Sequence, residues 1–305
     1  MQKTEISQRI IDLKKENDVV ILAHNYQPSE IQDIADFLGD SLDLALKALH
    51  VKQNNIVFCG VDFMAESAKI LNPDKTIIHP DISAKCPMAG MVDPESLGWL
   101  TDKYPDAQVV CYVNTSAEIK ALSDFCCTSA NGEKVVKQCS ANKIIFVPDH
   151  NLGLYIKRFV TDKEMIIWQG ICPTHHKIQK SDVLALKKKY SDAEVMVHPE
   201  CRPEVIDISD YVFSTNGMVQ HAKKSQADEF IIGTEKEMCY RLKKEIPTKS
   251  FYHIPSAVCP NMKKITLQKL LKSMQNLEPT IDLPKDIIAK AKIPLKKMID
   301  IGRSE

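Results

Sequence analysis

The sequence predicts an α/β protein made of three similar αβα units, each with a parallel sheet, and three observations carry that reading. Three of the ten cysteines are followed by proline, Cys86-Pro87, Cys172-Pro173 and Cys259-Pro260, spaced 86 and 87 residues apart. With 16 prolines in 305 residues, ten cysteines would give about half of one such dipeptide by chance, so the spacing points to one unit used three times. Apolar runs recur with the same period. The segments between these runs carry helical rather than alternating spacing, which is the pattern of parallel strands joined by helical crossovers.

Taken in order, Ile6, Ile10, Ile11 and Leu13 predict an amphipathic first helix that ends near Asn17-Asp18. Val19-Val20-Ile21-Leu22 then opens the first unit, and its equivalents are Val109-Val110-Cys111-Tyr112 and Val195-Met196-Val197. A small polar cluster follows each: Gly39-Asp40-Ser41, Cys127-Thr128-Ser129 and Ser214-Thr215-Asn216. The stripe Leu42, Ala45, Leu46 and Leu49 predicts a helix, as do Val183, Leu184 and Leu186 further on. The next strands are Ile56-Val57-Phe58, Ile144-Ile145-Phe146 and Phe230-Ile231-Ile232. The last are Thr76-Ile77-Ile78-His79, Met165-Ile166-Ile167-Trp168 and Ser250-Phe251-Tyr252-His253, each leading to a Cys-Pro. These runs are unalternated and rich in β-branched and aromatic residues, as expected of strands buried on both faces. Residues 1–104, 105–190 and 191–305 are the predicted units. The competing reading is one larger doubly wound sheet with accidental internal similarity. Ile265, Leu267, Leu270, Leu271 and Met274 predict a helix after the last Cys-Pro, and the stretch with Pro279, Pro284 and Pro294 around Ile287-Ile288 is expected to cover a face of the assembled units.

Composition narrows the function. Forty basic and forty acidic side chains cancel, which gives no basic surface for nucleic acid. No apolar run approaches 18 residues, so no membrane span is expected. Nothing at the start resembles a signal peptide, so a cytoplasmic, reducing setting is expected, and the cysteines read as buried, catalytic or metal-bound rather than paired. Cys59, Cys111, Cys126, Cys139 and Cys239 lie in apolar or helical settings and read as small hydrophobes.

Cys86, Cys172 and Cys259 differ, because each follows the last strand of a unit and the proline after it fixes the local backbone. There is no close Cys-x-x-Cys pair for a zinc ribbon or ferredoxin. Three separate thiolates suit a 4Fe-4S cluster with one iron left open as a Lewis acid. Ligands of parallel sheets bind beyond the carboxyl ends of the strands. The residues just after each first strand are therefore site candidates: His24-Asn25-Tyr26-Gln27, Tyr112-Val113-Asn114-Thr115 and His198-Pro199-Glu200. Ser41, Ser129 and Thr215 precede helices, where they can serve as N-caps and also meet anions.

In order and spacing, His24-Asn25-Tyr26, Gly39-Asp40-Ser41, Tyr112-Val113-Asn114-Thr115, Thr128-Ser129-Ala130-Asn131, His198-Pro199-Glu200-Cys201, Ser214-Thr215 and the three cluster cysteines resemble the quinolinate synthase family from about residue 19 to Met262. Ala289, Pro294 and Met298 fit the family's end. The resemblance implies three α/β domains with pseudo-three-fold symmetry around a central active site, a 4Fe-4S cluster on Cys86, Cys172 and Cys259, and condensation of iminoaspartate with dihydroxyacetone phosphate to quinolinate, a precursor of NAD. It implies substrate or product contacts at His24, Ser41, Tyr112, Asn114, Ser129, His198, Glu200 and Thr215, proton transfer involving Tyr26, and coupling to an iminoaspartate-producing enzyme. The Cys-x-x-Cys pair that some relatives carry before the third ligand is absent from Ser256-Ala257-Val258-Cys259. His24, Tyr26, Tyr112 and Glu200 are the candidate catalytic residues. Two alternatives remain open at this stage: another iron-sulfur hydro-lyase acting on a small hydroxy acid, and a non-enzymatic iron-sulfur redox sensor.

Overall fold

In the computed structural model, which describes residues 3–303, apolar runs become strands and amphipathic segments become crossover helices. The two residues at either end of the chain, which the predicted first and third units include, lie outside the described residues. Three four-stranded parallel sheets form, each flanked by helices. The first contains β1 (Val19–His24), β2 (Phe37–Gly39), β3 (Asn55–Cys59) and β4 (Thr76–Ile78) in the order β2-β1-β3-β4. The second contains β5 (Gln108–Tyr112), β6 (Phe125–Cys127), β7 (Lys143–Val147) and β8 (Glu164–Ile167) in the order β6-β5-β7-β8. The third contains β9 (Glu194–Val197), β10 (Tyr211–Val212), β11 (Glu229–Gly233) and β12 (Ser250–His253) in the order β10-β9-β11-β12.

Pairing registers are the same in all three sheets. Leu22 faces Phe37, Val110 faces Phe125 and Met196 faces Tyr211; Val20 faces Ile56, Gln108 faces Ile144 and Glu194 faces Phe230. A one-residue slip would turn every side chain to the opposite face, so equal register means crossovers of equal length in each unit. The accidental-similarity reading fails on this point: there are three sheets, not one. Every residue of β1 is buried, as its unalternated apolar sequence requires.

The second strand of each sheet is absent from the sequence reading, because two or three residues are too few to show a period. It is held in place by an acid just before it. Asp36, Asp124 and Asp210 each accept the N–H of Ile21, Val109 or Val195 at 2.8 Å, and return their own N–H to the same residue's carbonyl. The chain thus leaves the first strand to one side and then crosses to the other, so the switch point, where a ligand crevice opens, lies at the carboxyl ends of β1, β5 and β9.

The expected capping roles are corrected. Asp40, not Ser41, caps the helix Ser41–His50, and Ser214, not Thr215, caps Thr215–Lys224. Asn131 occupies the cap position of Gly132–Gln138, two residues beyond Ser129. A capping oxygen must reach forward to the second or third helical amide, which Asp40 and Ser214 do and the first helical residue does not, whereas Asn131 Oδ1 turns back to the Thr128 N–H. Ser41, Ser129 and Thr215 are thereby spared for other partners.

Helix Lys3–Glu16 packs Ile6, Ile10 and Leu13 against Leu267, Leu270, Leu271 and Met274 of helix Leu267–Asn276, over one face of the first sheet. Ile11 falls off this stripe and is exposed, as is Leu184 on helix Lys180–Lys189. The final stretch forms a 17-residue helix, Lys285–Ile301, with Pro294 inside it. Its Ala291, Leu295 and Met298 are buried where it crosses β6 and the helices Ala117–Ala121 and Asp62–Leu71 of the first two units. Among the described residues no helix is long and apolar enough to cross a membrane.

Candidate active site

Each first strand ends in a ring-bearing residue or is followed by one: His24 closes β1, Tyr112 closes β5 and His198 follows β9. Two residues further on stand Tyr26, Asn114 and Glu200. The backbone turns sharply there. The N–H of Tyr26 donates to His24 Nδ1 at 3.2 Å and the N–H of Glu200 to His198 Nδ1 at 3.3 Å, so each histidine is oriented by the residue it precedes. Helix starts contribute Ser41 and Thr215, and the turn after β6 contributes Ser129. The cysteines come from the turns after the fourth strands and lead into the short helices Met88–Met91, Pro173–His176 and Met262–Lys264.

One cavity of about 130 Å³ brings these together: His24, Tyr26, Ser41, Tyr112, Asn114, Ser129, His198, Glu200 and Thr215 line it with Cys86, Cys172 and Cys259. All ten cysteines are free thiols. The three on the cavity wall are half-buried, whereas Cys59, Cys111, Cys126 and Cys139 are fully buried in apolar surroundings and Cys239 is half-buried on helix Glu237–Glu245.

A polar network runs across the site. Glu200 Oε2 lies 2.9 Å from His175 Nδ1 and 3.1 Å from His198 Nδ1. His198 Nε2 reaches Ser129 Oγ at 3.2 Å. On the other side, His175 Nε2 lies 2.8 Å from Thr234 Oγ1, which is 2.5 Å from the Tyr26 hydroxyl. His175 and His198 stack at 4.6 Å, and His175 Nδ1 is 3.2 Å from Cys172 Sγ. Asn25 Nδ2 donates to Thr215 Oγ1 at 2.9 Å.

His175, Thr234 and Asp40 are site residues that the sequence reading missed. His175 shares its place in the repeat with Ala89 and Met262, so no periodic signal marks it. Thr234 sits behind Tyr26 and is fully buried. Asp40 lies in the Gly39-Asp40-Ser41 cluster and lines the cavity beside Ser41.

Burial resists charge throughout. It pushes Glu200 up, but His175 and His198 together outweigh it and hold the carboxyl well below its usual range. His24 is lowered to about 4 by burial, against the pull of Asp40. His198 is lowered by burial and then by His175. Tyr26 and Tyr112 are raised by burial and then by Glu200. Burial also raises the three cavity thiols, Cys86 to about 12, so a metal group must displace their protons as it binds.

The residues suit a thiolate-bound metal group. Three cysteines line one cavity, and the carboxylate oxygen Glu200 Oε1 and the amide oxygen Asn114 Oδ1 are buried without a hydrogen-bond partner, as acceptors awaiting a ligand would be. The donor atoms of Cys172, His175 and Glu200 lie within 4.8 Å of one another.

Fold and site together define a three-unit α/β enzyme with one shared site at the carboxyl ends of its strands. The family described as quinolinate synthetase A protein matches residues 8–300. The quinolinate synthase of Thermodesulfovibrio yellowstonii is 52% identical over 295 residues, covering 96% of this chain and 97% of that protein. That of Methanosarcina barkeri is 49% identical over 302 residues, with 99% of both chains covered, and that of Caldicellulosiruptor saccharolyticus is 46% identical over 303 residues. This chain belongs to the quinolinate synthetase A family.

Proposed function

We propose that this protein is a cytoplasmic quinolinate synthase, a transferase of de novo NAD biosynthesis that condenses iminoaspartate with dihydroxyacetone phosphate and releases phosphate and water. The observation that carries the reading is that three cysteines from three units line one cavity with a buried acid–base network. Cys86, Cys172 and Cys259 would hold a 4Fe-4S cluster; when bound, it supplies an open iron as a Lewis acid for a substrate oxygen.

The chain's own residues divide the remaining work. Ser41, Ser129, Thr215 and Asn114 offer neutral donors to two carboxylates and a phosphate, so no strongly basic pocket is required. Tyr112 closes the wall beside them and keeps its proton for a substrate oxygen. Glu200, held ionised by two imidazoles, is the base; Tyr26, whose raised pKa keeps it protonated, is the acid; His24 stays neutral and, with its Nδ1 taken by the Tyr26 N–H, offers its other ring nitrogen as an N–H donor. Environments that push titratable groups apart in this way assign the proton donor and acceptor. Ring closure and dehydration need such transfers and no net electron flow. An enzyme that produces iminoaspartate is the expected supplier of one substrate.

A second reading has its own observation: Cys172, His175 and Glu200 are close enough for one divalent ion. Anaerobic purification with iron and sulfide analysis separates the two. About four irons and four sulfides per chain, a visible charge-transfer spectrum, quinolinate formation, and loss of all three on Cys172→Ser support the cluster enzyme. Iron without sulfide favours the single ion. A cluster-loaded protein that dehydrates small hydroxy acids and makes no quinolinate would overturn the proposed reaction.

A further inference from the structure

Three acids beside the site, Asp149 and Glu235 fully buried and Asp62 half-buried, have no part in the chemistry above, and they repeat with the same period as the cysteines. Asp62, Asp149 and Glu235 lie 87 and 86 residues apart, each just after the third strand of its sheet. The N–H of Cys86 donates to Asp62 Oδ1 at 3.1 Å, that of Cys172 to Asp149 Oδ2 at 3.1 Å and that of Cys259 to Glu235 Oε1 at 3.2 Å. A backbone bond runs beside each, to the carbonyl two residues before the cysteine: Asp62 N–H to Ala84, His150 N–H to Gly170 and Lys236 N–H to Ala257. Every cysteine turn is therefore tied at two points to the segment that follows the third strand.

The simpler account is that these acids only cap helices. Their other contacts argue against it, because those contacts vary while the bond to cysteine does not. Asp62 also accepts from Phe63, Asp149 from Leu152 and Glu235 from Glu237, three different local geometries. Charge pairing varies too: Glu235 has Lys263 at 2.8 Å, whereas Asp149, fully buried, has no cation within ion-pair distance among the described residues.

We propose that Asp62, Asp149 and Glu235 are three equivalent positioning residues that hold the cysteine turns in ligating conformation, so that the cluster meets a preformed set of sulfurs. This rests on the cluster reading above. Hydrogen-bond partners just outside a metal's own ligands typically contribute 10–100-fold in metal affinity.

The test uses Asp62→Ala and Asp149→Ala, with Asp124→Ala as the comparison, since Asp124 holds a strand amide at the far end of the sheet. Each protein is reconstituted anaerobically, and its visible absorption is followed in excess chelator, alongside thermal unfolding of the cluster-free form. Asp62→Ala and Asp149→Ala are expected to lose the cluster at least about tenfold faster than the parent protein. Asp149→Asn, which keeps one acceptor, should fall between. Asp124→Ala should lower the unfolding temperature and leave the chelation rate unchanged. If Asp149→Ala does not fold, the partly exposed Asp62→Asn carries the comparison. Parent-like chelation rates in the Asp62 and Asp149 variants would overturn the proposal, as would equal acceleration in Asp124→Ala. A parent protein that takes up no sulfide refutes the cluster reading itself, and this inference with it.

Discussion

At Glu200 burial alone would neutralise the carboxyl, and His175 and His198 together reverse that and keep it charged. Glu200→Gln is expected to cut quinolinate formation by about 100 to 10,000-fold, the usual range for a positioned proton-transfer group, while iron and sulfide content stay at parent levels. His24 makes a prediction about pH. Its folded pKa of about 4 lies below the ordinary 6.5, so between those values the unfolded chain binds a proton that the folded site excludes. The stabilisation is complete above pH 6.5, declines as the pH falls, and is gone below about 4; it amounts to on the order of 3 kcal/mol. Denaturant unfolding of the cluster-free protein at pH 7 and pH 4.5 should show the loss, and His24→Gln should reduce it, leaving the part set by His79 and His198, which burial also lowers. His24, Tyr112, His198 and Glu200 were legible because a strand's carboxyl end announces the residues after it. His175 was not, because it belongs to one repeat only, and Thr234 was not, because its role depends on the Tyr26 ring of another unit.

Between elements, close approach matters more than propensity. A Cβ on Gly153 in helix His150–Lys157 would stand 2.5 Å from Ile167 Cγ2 and 3.0 Å from a Phe146 ring carbon. Alanine would add about 1 kcal/mol of helix propensity, but overpacking typically costs 1–3 kcal/mol. Gly153→Ala should therefore destabilise, whereas Gly98→Ala, with nothing within 4 Å on helix Pro94–Lys103, should stabilise by about 0.4–1 kcal/mol. A pair of thermal or urea unfolding curves decides both signs. Nine of the twelve strands were visible as apolar runs. β2, β6 and β10 were not, because their place is fixed by Asp36, Asp124 and Asp210 bonding across the sheet rather than by any pattern of their own.

At the scale of the whole molecule, the C-terminal segment joins units that the repeat alone would leave side by side. Arg303 Nη2 bridges Asp40 at 2.7 and 2.8 Å and Asp43 at 2.6 Å in the first unit, and Asn131 of the second donates to the carbonyls of Met298 and Gly302. Asp40 caps the helix that presents Ser41 to the cavity, so this tie reaches the site through one residue. Arg303→Ala takes the cation from two carboxylates, of which Asp40 is 9% exposed at its side chain, and is expected to cost about 1–3 kcal/mol by chemical denaturation. The sequence suggested that this stretch would cover a face, yet did not reveal which units it would join, because its Ile287-Ile288 stripe has no partner pattern elsewhere in the chain.

The period of the chain by itself determined the class of fold, the number of units and which three cysteines stand apart, because equal crossover lengths leave an equal spacing in the primary structure. Only the tertiary structure decided that one cavity receives all three thiols, that His175 and Thr234 stand between Tyr26 and Glu200, and that Asp62, Asp149 and Glu235 grip the cysteine amides. The physical reason is range: local periodicity fixes strands and crossovers, whereas a hydrogen bond between different units is set by how three separately formed sheets pack.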